Sequence, residues 1–395
     1  MRFLLLLTLF VPAESARALT PLPDVEAAAA AEGVQPHLIT LTAVGDLMMH
    51  GSQVRAALQP DGRYLVDGYF DAVAERLSAA DLTFGNLETT LAGEDMAYAG
   101  YPAFNSPRTL ATDLRGAGFD VLQTANNHCM DRREKGLIRT LQALDAEGLR
   151  HVGTRADPDE DPALWVELAG LKVAFLAYTF SSNGIPLPPG RESIVSKLDP
   201  ERMEAEIADV LADGADLVIV GCHWGYEYQD KPRPEVVELG HRLVEAGADI
   251  VLGGHPHWVQ PYEVVTASDG REGFVAWSLG NFVSNMRKRN EDVGIILEMT
   301  LALAPDGGLA LADVGYAPTW VDATDATGRT NHTVFEILTE LPRCGHHPRL
   351  DAADCARMSQ ALETTRALLG EGDLLQPVAE PAFTDPTGAE GRVAP

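Results

Sequence analysis

The chain has 395 residues, 46% of them hydrophobic and 22% charged, enough apolar material for a large buried core in one or two domains. Its formal charge of −28 repels nucleic acid at long range and argues against that class of partner. No internal apolar run approaches the ~20 residues of a membrane span.

Arg2 precedes an apolar stretch over 3–11, and Ala16-Arg17-Ala18 has small-x-small spacing, so residues 1–18 read as a cleaved signal peptide. Export to the periplasm or the exterior is expected, with no transmembrane anchor after cleavage. Residues 19–36, with Pro21, Pro23, an Ala run and Pro36, read as a linker that is ordered in part. From His37 short apolar runs alternate with amphipathic stretches, the pattern of βα units. Strands are predicted at 38–44, 82–84, 121–124, 173–178, 217–220, 250–252 and 274–279. Helices are predicted at 69–80, 109–118, 134–148, 200–212 and 235–247, three of them stopped by Gly118, Gly148 and Gly247. Several strands are near-continuous in Val, Ile and Leu, as parallel strands buried on both faces are. This sets the fold class as α/β, with a principal domain over 37–300.

Beyond it, the segments 293–303 and 309–320 look antiparallel around Pro305-Asp306-Gly307-Gly308. Residues 301–345 form a β extension of the same domain, which the first of these segments enters at its end. A C-terminal helix follows within 346–375, centred on 352–369, and a flexible tail over 376–395. Cys344 and Cys355 are close enough in sequence to pair in an exported protein. Cys129 and Cys222 adjoin polar motifs, where a thiolate could ligate metal, but read better as small buried apolar residues.

Those motifs lie just beyond strand C-termini, where open α/β sheets place their ligand crevice. They are Gly45-Asp46, Gly85-Asn86-Leu87-Glu88, Asn126-Asn127-His128, Cys222-His223-Trp224 and Gly253-Gly254-His255-Pro256-His257. Two carboxylates, an amide and several imidazoles from strand ends form the ligand inventory of a two-metal hydrolytic centre, in which cations about 3.5–4 Å apart clamp a water and the scissile group. Mixed oxygen and nitrogen donors suit a divalent ion, one or two of Mn²⁺, Fe or Zn²⁺. A non-ligating His128 can donate a proton to the leaving oxygen, with Asp131 orienting its ring; Glu227 is the expected partner of His223. Each motif alone also has a structural reading: Asp46 as a turn residue, Glu88 as a solvated charge, Asn127-His128 as a helix cap, His223 as a core histidine.

Taken in order, these motifs resemble the CapA family of capsule synthesis proteins linked to poly-γ-glutamate, similar in turn to calcineurin-like metallophosphatases. The resemblance spans about residues 38–300 and includes Gly45-Asp46-Leu47-Met48, Asn86-Leu87-Glu88, Asn127-His128 with Asp131, and His223-Trp224-Gly225 with Glu227. Gly254-His255-Pro256-His257 with Gln260, and Ser278-Leu279-Gly280-Asn281-Phe282, complete it. It implies a four-layer α/β/β/α sandwich. It also implies that Asp46, Glu88 and His257 hold one metal and that Glu88, Asn127, His223 and His255 hold another, with Asn281 supporting them and His128 as the acid. Two departures stand out: Met48 replaces the imidazole of an Asp-x-His motif, for which His50 is an offset substitute, and Glu88 stands for a bridging Asp.

Two basic clusters, Arg132, Arg133 and Lys135 after the Asn127-His128 motif and Arg287, Lys288 and Arg289 after Asn281, are candidates for a positive mouth that captures an anionic polymer or a phosphate-containing small molecule. Solvated surface charge is their other reading. The expected function is that of an exported metal-dependent hydrolase-type protein in poly-γ-glutamate or capsule polymer biosynthesis, with capsule synthesis or export machinery as partner. The alternatives are a non-catalytic polymer-binding or export accessory, and a general phosphomonoesterase or nucleotidase.

Overall fold

A parallel strand covered on both faces needs an unbroken apolar run, and such runs build the centre of this molecule. The computed structural model describes residues 19–324, 330–373, 375 and 376. The signal-peptide segment 1–18 and all but the first residue of the expected tail lie outside the described residues. The N-terminal half contains α1 (Leu22–Ala31), β1 (His37–Leu47), α2 (Gly51–Ala57), α3 (Ala74–Ala79), β2 (Leu82–Leu87), α4 (Thr109–Gly116), β3 (Val121–Gln123), α5 (Arg133–Ala146) and β4 (Arg150–Val152). Next come β5 (Leu164–Leu168), β6 (Leu171–Thr179), α6 (Pro200–Ala212), β7 (Leu217–His223), α7 (Pro234–Ala246), β8 (Ile250–Gly254), β9 (Tyr262–Thr266) and β10 (Glu272–Ala276). The chain ends with β11 (Asn281–Val283), β12 (Val293–Leu303), β13 (Leu309–Thr324), β14 (Thr330–Glu336), α8 (Ile337–Glu340) and α9 (Ala352–Leu369).

One sheet runs β14-β13-β12-β1-β2-β3-β4, with β11 also paired to β1; the other runs β5-β6-β7-β8-β10-β9. β1 to β4 are parallel to one another, as are β6, β7, β8 and β10. The sheets face each other across a core that includes Leu41, Phe84, Phe175 and Ile219, where Phe84 and Phe175 stack with centroids 6.2 Å apart. Outside the first sheet, α4 and α5 bury Leu110, Leu114 and Leu144; outside the second, α6 and α7 bury Met203, Ile207 and Leu243. The result is the expected four-layer α/β/β/α sandwich.

α2, β4, β5 and β9 have no counterpart in the sequence expectation, and three expected segments take a different form through tertiary contacts. Residues 19–36 contain α1, whose buried Val25 packs on Ala302 and Ala310. The helix expected over 69–80 starts only at Ala74, because the amides of Gly68 and Tyr69 donate to the Asp113 carboxylate and the Tyr69 carbonyl accepts from Val334 N at 2.8 Å. The apolar run 274–279 divides: β10 ends at Ala276, and after Gly280, at φ +72°, the chain crosses to the first sheet as β11. Cys344 and Cys355 form a disulfide beside the buried Met358 face of α9. Cys129 and Cys222 are free and buried.

Asp249 joins the second sheet to the start of the described chain, accepting from Val218 N at 2.8 Å and from Leu19 N at 3.2 Å inside the core. Asp249→Ala leaves two buried amide donors unmet and is expected to cost about 2 kcal/mol or more in urea unfolding. A variant as stable as the parent would contradict this anchoring.

Candidate metal centre

The C-terminal ends of the two parallel strand sets meet at one edge of the sandwich. β1 has one extra residue against β2: Ala43 pairs with Phe84 but Asp46 with Asn86. That irregularity re-aims Asp46 toward the second sheet, as bulges do. Gly45 permits it, since a Cβ there would lie 1.9 Å from the Gly280 carbonyl oxygen. From the facing sheet, β8 ends in Gly254, where a Cβ would sit 2.8 Å from Asp46 Oδ1. The chain then turns through His255 and His257, both in the left-handed region at φ +96° and +57°. That conformation costs a non-glycine residue of order 1 kcal/mol and is a feature of ligand-holding loops.

The structure brings Asp46, Glu88, Asn127, His223, His255 and His257 together, all buried. Donor atoms of Glu88, His255 and His257 lie within 4.8 Å of one another, and so do those of Asp46, Glu88 and His223. Asp46 Oδ2 receives His257 Nδ1 at 3.1 Å and the His255 amide at 3.3 Å, and Asn281 Oδ1 also meets His257 Nδ1 at 3.0 Å. His223 Nε2 lies 2.9 Å from Asn127 Oδ1 and 3.5 Å from Glu88 Oε1.

Among the described residues neither Glu88 oxygen nor His255 Nδ1 has a hydrogen-bond partner, although all are buried. A buried carboxylate is costly unless it is paired, protonated or bound to a cation. Burial and the Asp46 charge push Glu88 up to about 8. Burial draws His255 down to about 2 and His223 to about 3. Burial also opposes charge on His257, but Glu88 and Asp46 outweigh it and raise this ring to about 9. For Asp46 the same burial is overcome by the His257 hydrogen bond and charge, which hold it at about 2. Orphaned oxygen and nitrogen donors in this electrostatic setting are compatible with a divalent cation.

His128 Nδ1 meets Asp131 Oδ2 at 2.7 Å, and the same oxygen accepts from Phe104 N at 2.6 Å. The carboxylate fixes the ring with its Nδ1 proton inward and Nε2 free. Burial disfavours charge on this imidazole, but Asp131 and Glu88 together raise it above the ordinary histidine range. Glu227 is exposed, and the hydrogen bonds of His223 run to Asn86 and Asn127 instead. His50 lies outside both donor groups; its Nδ1 accepts from Asn285 N at 3.2 Å.

The basic clusters divide in the same way. Arg132 spends its guanidinium on the carbonyls of Met96 and Ala97, whereas Arg133 and Lys135 are exposed. Arg287 donates to the Val321 carbonyl, and Arg287, Lys288 and Arg289 are all exposed.

Two groups of site residues escape the sequence reading. Phe180, 45% exposed, has its ring 4.5 Å from that of His255, and Tyr228, 41% exposed, lies 6.2 Å from His257. They give the centre an aromatic rim that no spacing signals. Asn86 and Asn126 stand inside the motifs but 40 residues apart, and only the fold shows that Asn126 Nδ2 donates to Asn86 Oδ1 at 3.1 Å.

Residues 40–286 match the family model described as bacterial capsule synthesis protein PGA_cap. The chain belongs to this family. It is 31% identical over 299 residues to "Capsule biosynthesis protein CapA" of Bacillus anthracis, covering 73% of this chain and 69% of that one. It is 29% identical over 255 residues to "PGA biosynthesis protein CapA" of Bacillus subtilis (strain 168), covering 62% of this chain and 63% of that one. Among solved structures it is similar to the Haemophilus influenzae NAD nucleotidase NadN, at 13% identity and a TM-score of 0.48 over 87% of this chain and 57% of the other.

Proposed function

We propose that this chain is an exported metal-dependent hydrolase-type protein acting on an anionic polymer such as poly-γ-glutamate, or on a phosphate-containing intermediate of capsule synthesis, beside the capsule synthesis or export machinery. The observation that carries the reading is the Glu88 carboxylate, buried with neither oxygen hydrogen-bonded among the described residues, beside a His255 Nδ1 that likewise has no hydrogen bond among them. Glu88, His255 and His257 would hold a divalent ion, with Asp46, Asn127 and His223 around it, and the chemistry it would supply is Lewis acidity toward substrate and water. The side chains do the rest. His128, oriented by Asp131, delivers a proton from Nε2 to the leaving group, and Phe104 packs its ring edge-on at 4.6 Å. Family membership and the names of the Bacillus relatives support the polymer pathway. Among the described residues no helix is long and apolar enough to cross a membrane.

Elemental analysis of the purified protein, with a hydrolysis screen over phosphoesters and γ-glutamyl amides, tests the reading. The expected result is bound divalent metal and metal-dependent turnover of one class. His128→Asn is expected to lower kcat by about 10²–10⁴ without lowering metal content. Turnover restricted to generic phosphomonoesters would favour a phosphomonoesterase or nucleotidase. Bound metal with no turnover in any class would favour an accessory role, which the presence of Met48 in place of an imidazole also favours.

A further inference from the structure

We infer that Asn86 restricts this centre to a single cation, because its amide converts Asp46 and His223 from metal ligands into positioning groups. The inference rests on the metal reading above and fixes the number of ions.

The orientation of Asn86 is set by a relay that starts on the main chain. Asn126 Nδ2 donates to the Leu87 carbonyl at 2.8 Å, and Asn126 Oδ1 accepts from His128 N at 3.1 Å. A carbonyl only accepts and an amide N–H only donates, so the Asn126 amide has one orientation. Its Nδ2 then donates to Asn86 Oδ1 at 3.1 Å, which leaves Asn86 Nδ2 facing Asp46 Oδ1 at 2.7 Å and His223 Nδ1 at 3.1 Å. The reverse placement would set an amide oxygen against a carboxylate.

Two consequences follow for the neighbours. His223 Nδ1 must present its lone pair to the Asn86 N–H, so its proton is on Nε2, aimed at Asn127 Oδ1 at 2.9 Å. A protonated nitrogen does not ligate a metal. Both oxygens of Asp46 are also engaged: Oδ1 by Asn86, and Oδ2 by His257 Nδ1 at 3.1 Å and the His255 amide at 3.3 Å. Asp46 thereby becomes the carboxylate behind a ligating histidine, fixing His257 with Nε2 free. Of the two donor groups, Asp46–Glu88–His223 has the Asn86 N–H₂ bound to two of its members, while Glu88–His255–His257 stays open. Within the two donor groups, the buried atoms with no hydrogen bond among the described residues are Glu88 Oε1 and Oε2, which the groups share, and His255 Nδ1, which belongs to the open group.

Metal stoichiometry tests this without reference to activity. Metal-stripped full-length protein is titrated with Mn²⁺ and, separately, Zn²⁺, by calorimetry and by elemental analysis after gel filtration. The wild type is expected to bind one ion per chain. Asn86→Asp replaces the amide donor with a third carboxylate between Asp46 and His223 and is expected to bind two. Asp46→Asn is expected to keep the single ion with affinity lowered about 10–100-fold, the effect of losing a support behind a ligand. Two ions in the wild type, one ion in folded Asn86→Asp, or complete loss of metal in Asp46→Asn would each overturn the inference while leaving a metal centre in place. No ion in the wild type would instead overturn the metal reading itself, and this inference with it. The wild-type and Asp46→Asn arms decide the matter even where Asn86→Asp fails to fold.

Discussion

Glu88→Gln is expected to abolish metal binding while leaving the metal-free protein folded. The substitution keeps the shape of a fully buried side chain and removes a carboxylate whose oxygens have no hydrogen-bond partner among the described residues. A ligand at 100 times its Kd stabilises the folded state by about 2.7 kcal/mol, and that metal-induced stabilisation should vanish in the variant. The pH dependence follows with a defined sign. Burial, with the Asp46 charge, raises Glu88 to about 8, above its ordinary 4.5. Between these values the folded, metal-free protein holds a proton that the unfolded chain has released, so stability falls as pH rises through that window. Unfolding of metal-stripped wild type and Glu88→Gln across pH 5–8 should therefore show the wild type losing stability relative to the variant. Parallel curves, or a metal-induced stabilisation that survives in Glu88→Gln, would count against the role given to this carboxylate.

Gly45→Ala is expected to be the most destabilising of the small substitutions at the sheet junction. Its Cβ would lie 1.9 Å from the Gly280 oxygen and 2.9 Å from the Gly280 carbonyl carbon, so main chain rather than a flexible side chain must yield. The same carbonyl accepts from Asp46 N at 2.9 Å, and Asp46 pairs in register with Asn281. Separating β1 from β11 therefore moves both carboxylate and amide away from His257. A loss of about 3 kcal/mol or more in urea unfolding is expected, accompanied by weaker metal binding. Gly116→Ala is the control: this helical glycine has nothing within 4 Å of the added Cβ, and the change is expected to be neutral or stabilising by up to ~1 kcal/mol. Equal effects of the two substitutions would contradict the close approach at Gly45.

Much of the fold was legible because burial on both faces leaves a direct record in sequence. The runs at 217–220 and 250–252 needed no alternation to be read as strands, and Gly247 stops α7 in the left-handed conformation that its position implies. What escaped depends on partners distant in the chain. The start of α3 is set by Asp113 and by β14, and α1 exists as a docked helix because Ala302 and Ala310 offer it a smooth surface.

The site shows the same division. Strand-end position brought forward Asp46, Glu88, Asn127, His128, His223, His255 and His257, since a parallel sheet presents its C-terminal ends to one crevice. Hydrogen-bond direction was beyond reach. Asn86 stood in the motif before Glu88 with no role of its own, yet its amide faces Asp46 and His223. Glu227 lies close in sequence to His223, but the strand end turns and leaves it exposed.

Anomalous diffraction from crystals soaked in Mn²⁺ tests the central claim most directly. A peak within coordinating distance of Glu88, His255 and His257 is predicted, and its loss in Glu88→Gln crystals. A map with no peak at these side chains under saturating Mn²⁺, or a peak there that persists without the Glu88 carboxylate, would contradict it.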